Sequence, residues 1–564
     1  MKILYRLFFI PVLLFAGIME LTGQSQYSDF LSTSQKINSL SKEYPAFCSV
    51  KSLVKTAGGK EIFVLTIGTG DKDNKPGIVV AGGIEGSHIL GKELALGFAS
   101  SLLKESGSAE IKELLGKVTF YVFPDMSPDA SEQYFSAIKY ERNTNSRTTD
   151  DDRDFKTDED PYEDLNKDGF ITMLRITDPS GTYTESKDDN RIMVPADLAL
   201  GQAGKYIVVT EGIDNDKDGK FNEDGEGGVS FNRNFTFNYE EYGPNSGLHA
   251  VSEPESKAVA DFLYDRFNIY AVITFGPQDN LGQPMKAAER PSPSASSASE
   301  GAAGGRGMGM GRPTGMPSGD RRITTILKSD ETINKLVSER YHEITGVKGA
   351  PSSKITPGNF MEWAYFHYGR YSFSTPAWWI ASEKGKSNEA AFLKFAEKKK
   401  INDAFIPWTE INLPAFPGKK AEVGGLKPFL LINPPADTLG VLINKNYKFI
   451  TTVAAMHPEL EFLDITTENA GENVYRITLK LHNKGIFATC AEAGDFNSWT
   501  RIMRMTLAPA KGQSILSGQK VQRITRLEGD QSAEFSWLIM GKGQLKITAG
   551  AVNTGTATAN IELK

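Results

Sequence analysis

The sequence predicts an α/β protein: a mixed sheet with helices on both faces, followed by a separate all-β sandwich. Three observations carry this. Short apolar runs at 77–81, 117–123, 270–275 and 370–375 are interspersed with helical periodicity at 88–104, 252–263, 329–343 and 389–400. Strands interleaved with helices build βαβ units and parallel pairing. From about 455 the helical period disappears. Alternating segments at 460–466, 474–482, 534–540, 545–551 and 556–563 then follow one another, as in a β-sandwich of ordinary domain size. Between 140 and 230 the composition changes to dense acid, with Asp150-Asp151-Asp152 and Asp158-Glu159-Asp160, which marks an insertion.

Taken in order, the chain opens with Lys2 and Arg6, an apolar run at 7–18 and a polar exit at 20–24. This is the form of a secretory leader, expected to be 1–23. The run is too short for a membrane span. The chain is therefore expected to be exported, periplasmic or extracellular, with no stable membrane insertion once the leader is removed. An amphipathic helix at 27–40 and a hairpin at 49–55 and 61–66 follow. The run 77–81 then reads as a buried strand that breaks at Gly82 and Gly83. Glu85 and His88 come at once, before the helix at 88–104. Open α/β sheets place their ligand sites at the C-terminal ends of strands, and both side-chain types bind zinc.

Two acidic stretches have calcium-loop form. One is Asp164-Leu-Asn166-Lys-Asp168-Gly169. The other sets Asp214, Asp216, Asp218, Asn222 and Asp224 around Gly219. Alternating oxygen ligands with glycine at the sixth place can wrap one hard cation. Arg175 and Gly225 stand where the bidentate glutamate would be, and Asx-rich turns that need no ion have the same composition. Ser252 is the expected N-cap of the next helix, with Glu255 at the capping-box place. The strand at 270–275 ends at Gly276-Pro277. A Ser-, Ala-, Gly- and Met-rich stretch at 291–319 cannot bury a core and reads as a disordered insertion.

Over 564 residues, 63 Lys and Arg face 70 Asp and Glu, a net charge of −7, so no nucleic-acid partner is expected. Cys48 and Cys490 are expected to be small buried residues, with pairing in an oxidising compartment left open.

The order of these parts resembles the zinc carboxypeptidase (carboxypeptidase A-like) family of metallopeptidases. The resemblance covers a domain at 24–440, with insertions at 145–228 and 291–319, ahead of a sandwich at 455–564. It implies zinc, and peptide C-termini as ligands. Glu85-Gly-Ser-His88 stands where the family has His-x-x-Glu, with the two metal-ligand types exchanged. Its flank Gly91-Lys92-Glu93 fits the family. Arg142 falls at the oxyanion-stabilising arginine. Asn232-Arg233, within Phe231-Asn232-Arg233-Asn234-Phe235, matches the pair that holds the substrate carboxylate and is the most specific match in the chain.

Two positions depart from the pattern. The third zinc ligand falls on Gly276 and the catalytic glutamate on Pro376. The substrate-capping tyrosine falls near Lys354. His249 and His367 are the histidines nearest to motif segments. Catalytic zinc needs three protein donors, and proline accepts no proton, so both the metal and the base that activates water are weakened. A bidentate arginine still recognises a carboxylate without zinc. The leading expectation is an exported family member, catalytically impaired, that binds the C-terminal carboxylates of peptides or peptidoglycan stems. The alternatives are an active metallocarboxypeptidase with a rearranged site, and a non-catalytic surface or scaffold protein.

Overall fold

The computed structural model describes residues 26–150, 155–217, 219–222, 224–288, 323–351, 353, 355–381 and 387–564. The expected leader, the 291–319 stretch, Asp218 and Lys354 lie outside the described residues.

A six-stranded sheet forms the centre of the first domain. Its order is Cys48–Lys55, Glu61–Ile67, Thr119–Phe123, Gly77–Ala81, Ile269–Phe275 and Tyr371–Thr375. The first two strands are the expected hairpin, and the last four run parallel to one another. Because successive side chains point to opposite faces, each inner strand feeds two cores. Ile78, Val80, Phe120, Val122, Ala271 and Ile273 pack on one face, and Val79, Ala81, Tyr121, Phe123 and Val272 on the other. The first face is covered by helices Phe30–Glu43, Ile89–Lys104, Lys328–Thr345 and Leu439–Ala455. The second is covered by Pro254–Tyr264 and Phe360–Phe366. The expected mixed α/β sheet is therefore present.

The helix Leu439–Ala455 packs on Ile89–Lys104 and Lys328–Thr345, so the first domain runs past 440 to about 456. The cap of Pro254–Tyr264 also departs from expectation. Its N-cap is Glu253, not Ser252. Asn234, distant in sequence, takes over the capping role: its Oδ1 accepts from Glu253 N at 3.2 Å and from Ser256 Oγ at 2.5 Å.

The acidic insertion contributes more than loops. Met173–Thr177, Tyr183–Glu185, Met193–Pro195 and Tyr206–Thr210 join Phe405–Ile411 and Ala421–Leu426 in a second, wholly antiparallel six-stranded sheet. It has its own small core of Leu174, Ile176, Leu413, Ala421 and Val423.

The C-terminal region is two four-stranded antiparallel sheets around Leu479, Met505, Trp537 and Ile547. Its eight strands include three that the alternation did not reveal: Met503–Ala508, Ser514–Ser517 and Val521–Ile524. Arg370, only 3% exposed, reaches from the first domain into this region and donates to Trp499 O at 2.8 Å and Thr500 Oγ1 at 2.9 Å. Cys48 and Cys490 are both buried and free. No helix among the described residues is long and apolar enough to cross a membrane.

Candidate functional site

The parallel strands Gly77–Ala81, Ile269–Phe275 and Tyr371–Thr375 end side by side, which brings Glu85, Gly276 and Pro376 to one edge. A cavity of about 470 Å³ lies there, lined by Glu85, Arg142 and Arg233 together with Tyr140, Tyr162 and Asn222. Three residues singled out in the sequence thus converge, joined by one residue of the second acidic loop.

Glu85 is half-buried. Burial pushes its carboxyl above the usual range, opposed by the hydrogen bond from Asn232 and the charge of Arg233. Asn232 is fully buried. Its Nδ2 donates to Glu85 Oε1 and to Gln278 Oε1, both at 2.8 Å, and its Oδ1 accepts from Phe360 N at 2.9 Å. Gln278 Nε2 donates onward to Thr356 Oγ1 at 3.2 Å. Where the resemblance implies a substrate contact, Asn232 instead has every polar atom turned inward as a brace for Glu85. Gln278 was not singled out in the sequence. Its only signal there is an amide three residues after the buried strand residue Phe275.

Arg233 is partly exposed at the cavity wall and donates from Nη1 to Pro244 O at 3.0 Å. Among the described residues it has no ion-pair partner. Arg142 donates from Nε to Thr144 O at 3.0 Å and from Nη2 to Asn145 O at 2.7 Å. These bonds fold its own loop and fix the guanidinium beside the cavity, and no carboxylate neutralises it among the described residues. The cavity also holds the carboxyls of Glu85, Glu141 and Glu226, but neither guanidinium makes an ion-pair contact among the described residues, so each keeps donors free for an anion's oxygens.

His88 is placed differently. It is the N-cap residue of Ile89–Lys104, 3% exposed, and makes no cap bond with its side chain. Nε2 stands 3.1 Å from Pro376 O, while Nδ1 has no hydrogen-bond partner. Burial disfavours the imidazolium and holds its pKa down to about 4. Lys92 and Glu93, in the flank that fits the family, are internal struts. Lys92 Nζ lies 3.7 Å from Asp125 Oδ2, and Glu93 Oε1 accepts from Ser28 N at 2.5 Å.

These residues do not fit a catalytic zinc. A Cβ at Gly276 would lie 2.4 Å from Ile84 Cδ1, so the direction a ligand side chain would take is filled with hydrocarbon. His88 Nε2 shares its proton with Pro376 O and has no lone pair to offer. Its Nδ1 is walled in: a Cβ at Gly91 would come within 2.9 Å of it and 2.7 Å of Phe275 O. His249 and His367 are turned elsewhere, Nδ1 of the first to Ala250 O and Nδ1 of the second to Thr236 Oγ1. Among the described residues, no three His, Cys, Asp or Glu side chains converge as a metal site requires.

The first acidic loop closes on itself, and the second is held from outside by Asp160, which accepts from Asn215 N at 2.9 Å and from Asn222 N at 2.5 Å. Asp164 accepts from Asp168 N at 3.1 Å and Gly169 N at 2.8 Å, and Asp168 accepts from Phe170 N at 2.9 Å. Asp214 accepts from Lys217 N at 2.6 Å and Gly219 N at 3.1 Å, and Asn222 Nδ2 donates to Thr210 O at 2.9 Å. The bonds accepted by Asp164, Asp168 and Asp214 are Asx-turn bonds that need no ion.

The family model described as zinc carboxypeptidase matches residues 33–189, and one described as a domain of unknown function matches 459–562. Carboxypeptidase B of Astacus astacus is 28% identical over 124 residues, which is 22% of this chain and 40% of that protein. Carboxypeptidase D of Homo sapiens is 27% identical over 183 residues, 31% of this chain and 12% of that protein. The chain thus spans less than half the length of these relatives. Among solved structures, thrombin activatable fibrinolysis inhibitor and the carboxypeptidase A of Helicoverpa armigera each give a TM-score of 0.39 at 13% identity, over 76% of this chain and 74% of theirs. Over residues 33–189 this chain is thus similar to zinc carboxypeptidases, in the family model and in the curated relatives alike.

Proposed function

We propose that this chain binds the free C-terminal carboxylate of peptides, peptidoglycan stems included, in the cavity at the strand ends, and that it does so outside the cytoplasm without efficient hydrolysis. One observation carries the reading: Arg233 and Arg142 line the cavity without an ion-pair contact among the described residues, beside the carboxyls of Glu85, Glu141 and Glu226, while Gly276 and Pro376 leave neither a third metal donor nor a base. Arg233 is the anchor and Arg142 the second positive charge. Asn232 acts as a positioning residue that keeps Glu85 back from the bound carboxylate.

Binding of fluorescent peptides to the full mature chain tests this, with each peptide prepared as a free acid and as a C-terminal amide. The free acid is expected to bind at least about tenfold tighter, in keeping with a charge-assisted bidentate contact. Arg233→Ala should abolish that preference and leave the fold intact. Equal binding of acid and amide, or release of C-terminal residues at ordinary enzyme rates, overturns the proposal.

A further inference from the structure

The C-terminal region carries a second concentration of positive charge, separate from the cavity described above. A cavity of about 640 Å³ is lined by Arg501, Arg504, Arg523 and Arg526, with Asp495 as its single acidic lining residue. In a chain of net charge −7 this is a local reversal of sign.

Two of these arginines are set against each other by the sheet. Strand Met503–Ala508 turns Met503, Met505 and Leu507 into the sandwich core, so Arg504 stands on the outer face. On the neighbouring strand Arg523 is its direct antiparallel partner. Side chains at such positions leave the backbone about 5 Å apart, and like charges there repel. On the other side the residue opposite Arg504 is Gly550, which also lines the cavity. The pairing thus leaves two guanidiniums flanking a hollow.

The remaining two are held in place by other contacts. The Arg501 guanidinium lies 3.6 Å from the centre of the Phe267 ring. Arg526 Nε donates to Cys490 O at 2.7 Å, and its charge is met by Glu528 and by Asp330 at 3.7 Å. Among the described residues Arg501, Arg504 and Arg523 have no carboxylate within ion-pair distance. Three unneutralised guanidiniums, two of them forced together by strand register, suit a multiply charged tetrahedral anion. Such an anion offers each fork a pair of oxygens and removes the repulsion.

We propose that this cavity binds a phosphate- or sulfate-type oxyanion, either free or carried on a small sugar for which the remaining volume has room.

The test is calorimetric titration of the full mature chain with inorganic phosphate, sulfate and glucose 6-phosphate. Sodium chloride and acetate at matched ionic strength are the controls, since general screening acts through ionic strength alone. Saturable one-site binding of phosphate or sulfate is expected, absent with chloride and acetate. Arg504→Gln and Arg523→Gln should each weaken it at least tenfold, and Arg523→Lys less, because it keeps the charge and loses the fork. Both Gln variants should melt at or above the parent temperature without phosphate and lose the rise in melting temperature that phosphate produces. That readout separates lost binding from lost folding. Tighter binding of glucose 6-phosphate than of phosphate assigns the sugar-borne form, and equal binding the free ion. Unsaturable titration, an equal response to chloride, or binding that disappears in Arg233→Ala while surviving in Arg504→Gln overturns the assignment.

Discussion

His88 offers the sharpest test of how the strand-end site is built. Its ring is 3% exposed, makes one hydrogen bond to Pro376 O, and faces no carboxylate that would stabilise a positive charge. Burial lowers its pKa from 6.5 to about 4. The folded state therefore keeps His88 neutral at pH values where the unfolded chain takes up a proton. A depressed folded pKa means stability that is present above the unfolded value and is lost as pH falls toward the folded value. The window is thus pH 6.5 down to about 4. At 1.36 kcal/mol per pKa unit, the loss assignable to this residue between pH 7 and pH 5 is about 2 kcal/mol.

His88→Gln removes the titration and keeps an amide able to donate to Pro376 O. Its packing cost is independent of pH and cancels when each protein is compared with itself. Calorimetric melts of both proteins at several pH values, with EDTA present, measure the effect. Only the transition of the first domain should move, since a chain with two domains need not unfold in one step. The parent is expected to lose about 2 kcal/mol more than the variant between pH 7 and pH 5. A stability difference between the two that stays constant over that window would refute the account of a buried neutral imidazole.

Other consequences follow from the packing. Gly276→His should destabilise by about 1–3 kcal/mol through overpacking against Ile84, and should not create tight zinc retention; metal analysis beside a thermal melt checks both. Arg370→Ala removes the bonds to Trp499 O and Thr500 Oγ1, two part-buried acceptors that water can then reach. It should weaken docking of the C-terminal region by about 1–3 kcal/mol, seen as a split into two melting transitions. The Asx turns at 164–169 close with donors from the loop itself, so adding calcium to chelator-treated protein should leave the melting temperature unchanged. Raising the pH should weaken peptide-acid binding as Glu85 ionises, because its carboxyl is pushed up by burial and the charged form repels the ligand; a Glu85→Gln variant should lose that dependence while keeping binding.

The parts of the fold legible in the sequence are those with local causes. Ile78 to Ala81 is apolar throughout because a parallel strand covered on both faces has no polar side, and Gly82 and Gly83 mark its end. The helices at Ile89–Lys104 and Lys328–Thr345 follow from side-chain period. The second sheet was not legible. Its strands Met173–Thr177 and Ala421–Leu426 pair across more than two hundred residues, and neither is long or regular enough to announce itself. The N-cap at Ser252 failed for a similar reason: Asn234, from another segment, supplies the acceptor that a local cap would have supplied.

At the site, residue type was set by the sequence and residue direction by the tertiary structure. The sequence alone determined that Glu85 follows a strand end, that Arg142 and Arg233 match the family's arginine positions, and that Gly276 and Pro376 carry no ligand or base. Only the packed structure decided that Asn232 points inward to Glu85 and Gln278, that Ile84 fills the space beside Gly276, and that His88 is closed off against Pro376. The reason is that a motif fixes where side chains leave the backbone. Where a buried polar group then turns depends on which partner, from any distance along the chain, satisfies its hydrogen bonds at least cost.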